Sequence, residues 1–159
     1  MAIGTDDGIL KYGTQDAVHS GTPATIASGS IGKADQGASI NWTNDDDAPF
    51  GAAVLKCQFD TTMPTEGTLG LIANLLNVQS TNDLNVPDSS FPHIQVGAFP
   101  IDFGVANDTD FYTAIPFFRM PMILSAQAID WYVFNKGTGQ TLGVSWELYI
   151  TPIAIGPHA

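Results

Sequence analysis

Ala128-Ile-Asp-Trp-Tyr-Val-Phe134, Asn135-Lys-Gly-Thr-Gly139 and Gln140-Thr-Leu-Gly-Val-Ser-Trp-Glu-Leu-Tyr-Ile-Thr-Pro152 together decide how the fold is read. Two runs rich in β-branched and aromatic residues flank a turn with two glycines, the sequence signature of a β-hairpin. In the second run Val144, Trp146, Leu148 and Ile150 share one face, and Ser145, Glu147, Tyr149 and Thr151 the other. That period of two marks a strand with one buried face. In the first run Trp131 and Val133 oppose Asp130, Tyr132 and Phe134, so both faces read as covered. A hairpin alone is barely stable in water, so further strands must surround this one.

Those strands are visible upstream. From Gly51 to Asp60, Ala53, Leu55, Cys57 and Phe59 alternate with Lys56, Gln58 and Asp60. Thr68 to Val78 reads as a buried strand, with a short helix over Leu71 to Leu76 as the alternative for so apolar a run. His93 to Ile101 and Phe111 to Phe118 read as two more, and Ala38 to Thr43 as the first core strand. A polar loop over Gln79 to Pro92 separates two of them; loops of that length are often functional or at an interface. Pro100, Pro116 and Pro121 favour edges or strand ends. The expectation is all-β, with roughly seven or eight short strands, no amphipathic helix and no fixed repeat, hence an antiparallel sandwich or small barrel.

Residues 1–37 differ in character. Glycine, serine, threonine and alanine dominate them, and large apolar residues are sparse. We read them as an extended arm, docked on its own domain or a neighbour's, with 38–159 as the sandwich domain; a flexible tail is the plainer alternative. Ile3, Ile9, Leu10, Tyr12 and Ile26 are spaced as anchors for an added strand. On this reading residues 2–35 are dispensable for folding.

Charge narrows the function. Charged residues make up 13% of the 159 residues and hydrophobic ones 44%. Sixteen acids against five bases give a formal net charge of −11, which argues against nucleic acid, whose phosphates call for clustered Lys and Arg. Apolar runs are too short to span a bilayer, so no membrane partner is expected. The N-terminus lacks the basic and apolar regions of a secretory signal. Cys57, the only cysteine, is expected as a buried, inert thiol.

Chemistry-bearing residues do not converge. His19, His93 and His158 are too scattered for a zinc site. Asp45, Asp46 and Asp47, and Asn107, Asp108 and Asp110, are oxygen-rich, yet neither run has the calcium-loop pattern, and solvated turns account for both. The triplets beginning at Asn41 and Asn107 match the glycosylation pattern, which arises easily by chance. Glu66 and Glu147 are the only glutamates, and no acid pair stands out for glycoside hydrolysis. Trp42, Trp131 and Trp146 read as core more readily than as a sugar platform. No catalytic, cofactor or metal residue is assigned, and a non-enzymatic role is expected. Phe117, Phe118, Met120, Met122 and Ile123 crowd one apolar run around Arg119. A core of this size cannot obviously hide them all, so some are expected between subunits of a homo-oligomer, a trimer before a dimer.

The arm from Gly4 to Gly37, and the closing Phe134-Asn-Lys-Gly-Thr-Gly-Gln-Thr-Leu142 with Trp146-Glu-Leu-Tyr-Ile-Thr-Pro152, give the chain its character. In these it resembles the small accessory virion proteins of tailed bacteriophages, particularly capsid decoration or cement proteins. The resemblance implies a jelly-roll sandwich made in the host cytoplasm, seated on the outer capsid surface, with the major capsid protein as partner. The alternative is a carbohydrate- or receptor-binding module of a fibre or tail, with Trp42, Tyr112 or Tyr132 lining one groove.

Overall fold

The structure, a computed structural model, describes residues 8–18, 24–34, 42–90 and 94–157. Ile3, His19, Asn41, His93 and His158 lie outside these. The strands are β1 (Gly8–Tyr12), β2 (Asp16–Ala17), β3 (Ile31–Lys33), β4 (Trp42–Asn44), β5 (Phe50–Cys57), β6 (Thr68–Leu75), β7 (Ile94–Phe99), β8 (Phe111–Arg119), β9 (Gln127–Lys136) and β10 (Glu147–Pro157). Among the described residues there is no helix. Sheet one has the order β1-β10-β5-β8, with β2 also paired to β10. Sheet two has the order β3-β9-β6-β7, with β4 also paired to β9. Every pairing between these strands is antiparallel.

The core follows the alternation. Ala53, Leu55 and Cys57 of β5 and Leu148 and Ile150 of β10 point inward from sheet one. Leu69, Leu71, Ala73 and Leu75 of β6 and Ile129, Trp131 and Val133 of β9 meet them from sheet two. Phe118 packs edge-on against Trp131, ring centroids 5.9 Å apart, and so joins the two sheets. The helical alternative for Leu71 to Leu76 loses because β6 is hydrogen-bonded to β7 on one edge and β9 on the other.

The expected hairpin does not form. β9 and β10 belong to different sheets, and residues 137–146 carry the chain across the end of the sandwich. The reason lies in the edges of β9: β6 occupies one, β3 and β4 the other, and no edge remains for β10. The glycine turn is genuine. Gly137 and Gly139 have φ near +69° and +68°, a region side chains disfavour, but the turn redirects the chain rather than reversing it.

Asn135 holds that corner. Fully buried at the end of β9, its Nδ2 donates to the carbonyls of Ile26 (2.8 Å) and Gln140 (2.7 Å). Its Oδ1 accepts from the Thr138 hydroxyl at 2.6 Å. Its backbone N–H donates to Ser30 O, and its carbonyl accepts from Gly29 N. Leu142, also buried, bridges to Ile26 and Phe59 beneath this network.

The N-terminal segment is thereby part of the sandwich. β1 and β2 extend sheet one, β3 extends sheet two, and Val18, Ile26 and Ala34 are buried in the common core. The Trp146 indole N–H donates to Ala24 O at 2.9 Å. The described residues of this segment thus pair with both sheets, which argues against the expected dispensability of 2–35. Its main-chain pairing is something that composition does not register.

β10 runs through Pro152, which has no N–H to give a ladder, to Pro157. Opposite it, the neighbouring edge is broken between β1 and β2, and Gly13 N donates to Pro152 O at 2.8 Å. The donor that proline lacks is missing where a ladder partner is missing too.

Two outcomes follow for urea denaturation. Asn135→Ala removes three side-chain hydrogen bonds of the corner, at about 0.5–1.5 kcal/mol each, and is expected to lower stability by about 3 kcal/mol. Deleting residues 2–35 is expected to abolish the cooperative transition and the native circular dichroism spectrum.

Candidate functional site

The turn between β8 and β9 exposes apolar side chains on a fixed frame. Ile123 is 62% exposed and Leu124 40%. Asp47 brackets the turn: Oδ2 accepts from the Ser125 hydroxyl at 2.6 Å and Oδ1 from Ala126 N–H at 2.7 Å. Ala126 has φ of 49°, a left-handed conformation that costs about 1–2 kcal/mol for a residue with a Cβ, and the bracket holds it there. Buried Gln127 donates to Leu76 O at 2.7 Å, and Asn44 Nδ2 lies 2.7 Å from the Met122 sulfur. Beside this turn lies a cleft of about 470 Å³. Its walls include Leu75, Ile94, Val96, Pro121, Met122 and Ile123; Gln95 and Arg119 are its only polar or charged lining residues among those described.

A second apolar surface covers the outer face of sheet one. Directly opposed residues on neighbouring strands point to the same side. Tyr12 opposes Ile153, Ile153 opposes Phe50, and Phe50 opposes Arg119; Leu10 opposes Ile155. Leu148 and Ile150 point inward, so Ile153 and Ile155 lie on the outer side by alternation, Ile153 fully buried there and Ile155 open to solvent. Phe117 stacks beside Phe50 with ring centroids 4.7 Å apart. Tyr12 is 65% and Ile155 58% exposed, with Leu10 and Phe117 about half exposed. At the far end of the face Lys56 is paired with Glu147 (3.0 Å) and Asp110 (3.3 Å) beside exposed Tyr112. Those carboxylates raise the Lys56 pKa to about 12, the Glu147 bond being the larger cause.

The structure sorts the expected interface residues. Phe117, Met122 and Ile123 reach the surface or the cleft, whereas Phe118 and Met120 are buried in the protomer's own core. A register shift between β5 and β8 explains the split: the irregularity at Gly51 and Ala53 leaves Pro116 and Phe117 both facing out and turns Phe118 in. Of the expected anchors, Leu10 and Tyr12 join Phe117 on the outer face, Ile9 lies in β1 opposite Gly156, and Ile26 is buried in its own core. Sequence reasoning missed Phe50, Ile153 and Ile155. The signal was the continued alternation beyond Pro152.

The other candidates are structural. Burial pushes the Cys57 thiol far up. Trp42, Trp131 and Trp146 are buried, as is Tyr132, so Trp42 and Tyr132 do not line a groove with exposed Tyr112. Asp45 and Asp46 line a small cleft with Asp16, whose Oδ2 accepts from the Trp42 indole. Asn107 Oδ1 accepts from Met63 N–H. Among the described residues, no three His, Cys, Asp or Glu side chains are grouped to hold a metal ion, and no helix is long and apolar enough to cross a membrane. Comparisons with protein-family models, with curated proteins and with solved structures find no match to this chain.

The bracket at Asp47 sets a pH dependence. Its carboxyl is held below its ordinary 3.8 by the Ser125 hydroxyl first and the Ala126 N–H second. A folded pKa below the unfolded one means the grip is complete above pH 3.8 and is lost as pH falls through the depressed value. Hydrogen exchange at the Ala126 amide is expected to accelerate at least about tenfold in Asp47→Ala at neutral pH, with the rest of β9 unchanged.

Proposed function

We propose that this is a non-enzymatic virion structural protein, a capsid decoration or cement protein. In this reading it binds the outer surface of an assembled phage shell through the turn between β8 and β9. The observation that carries the reading is that turn: Ile123 and Leu124 stand in solvent on a backbone already fixed by Asp47 and Gln127. A rigid apolar projection forfeits little entropy on docking, and exposed apolar surface of this kind is used for contact with another protein. The neighbouring cleft is suited to an apolar side chain of the major capsid protein.

The strand order supports the same class. Taking β1 with β2 and β3 with β4 as two interrupted strands leaves eight, ordered 1-8-3-6 and 2-7-4-5 in the two sheets. That order supports the jelly-roll reading, an architecture used by viral capsid and lectin domains. Binding only the assembled shell would stabilise it by mass action.

The test uses particles stripped of the protein and then reconstituted. Reconstitution is expected to raise the temperature at which the shell opens. Ile123→Asp is expected to weaken binding to stripped particles by about tenfold or more without altering the protein's own melting. Unchanged shell stability on reconstitution would remove the cementing role.

A further inference from the structure

We propose that the outer face of sheet one pairs with the same face of a second copy, forming a twofold dimer. The inference concerns a different surface from the turn at Ile123 and stands whether or not a shell is the partner.

Charge selects the face. Each chain carries −11, so copies repel unless they meet where carboxylates are absent or neutralised. Toward Arg119 the face presents Leu10, Tyr12, Phe50, Phe117 and Ile155 without a carboxylate. At its other end Lys56 neutralises Glu147. Among the described residues Arg119 forms no ion pair within the chain.

Size sets the strength. Four strands at about 4.8 Å spacing span about 14 Å, and the eleven residues of β10 run about 36 Å. The projected face is therefore on the order of 500 Å² per copy. Doubled, that is about 1,000 Å², the low end of the range, where transient rather than permanent interfaces lie.

Register selects the axis. The row across the sheet is Tyr12, Ile153, Phe50, Arg119. A twofold axis parallel to the strands, midway along this row, reverses it onto itself. Tyr12 then lies over Arg119 of the partner subunit, and the Phe50 side chains of the two copies sit on either side of the axis. Each guanidinium meets an aromatic ring, a favourable cation–π contact made twice. An axis across the strands would instead oppose Arg119 to Arg119 of the partner subunit. Face-to-face sheets stack about 10 Å apart, within reach of an arginine side chain. The expected state is thus a dimer, in place of the trimer favoured from sequence.

Sedimentation of the full chain at tens of micromolar tests this. A dimer is expected. Tyr12→Glu, Ile155→Glu and Arg119→Glu are each expected to give monomers with unchanged melting, since all three side chains are exposed. Combining Arg119→Glu with Tyr12→Lys reinstates opposite charges across the axis and is expected to recover dimerisation about tenfold or more over Arg119→Glu alone. A monomeric or trimeric native chain, dimers indifferent to the single variants, or no recovery in the double variant would each overturn the proposal.

Discussion

A buried carboxamide governs how this chain changes sheets. Asn135 is sealed from water, and both its amide ends have partners inside the protein. Burying such a group is tolerable only when its hydrogen bonds are met. Here they are met by one distant group, the carbonyl of Ile26, and by two within the turn itself, the hydroxyl of Thr138 and the carbonyl of Gln140. The corner therefore exists only when the N-terminal segment is seated beneath it. Leu142 and Trp146 then fall into the end of the core, and β10 enters the opposite sheet in register.

The sequence was most legible where one strand's own pattern decides the matter. Alternation in β5 and in the last strand located their buried faces, because period two is a local property of a half-buried strand. It failed where the answer lies in which edges are free. The run Asn135 to Gly139 has hairpin chemistry, yet β9 already has neighbours on both sides. Pro152 sits within β10 because a break in the adjacent edge strand accommodates it, and nothing near Pro152 in sequence encodes that break.

Surface residues were harder still. Phe117 and Phe118 are chemically identical neighbours, and only a register shift sends one outward and the other into contact with Trp131. The row Tyr12, Ile153, Phe50, Arg119 draws on four strands and nearly the whole chain. Such a row is a product of pairing register, so composition and spacing could name some of its members but not assemble them.

The strand order also dictates how the protein comes into being. β1 has β10 as its strand partner, and β3 and β4 have β9. During synthesis the first emerging strands thus have nothing to pair with until the last quarter of the chain has appeared. Before then only β5 with β8 and β6 with β7 can form their ladders. Closing loops of more than a hundred residues is entropically costly, and folding dominated by such closures is slow. Meanwhile the apolar β6 lacks β9, its cover on one edge, and is open to mispairing. Efficient production of this fold therefore depends on the emergence of β9 and β10, and translation products truncated before them are expected to aggregate rather than to accumulate as partly folded domains.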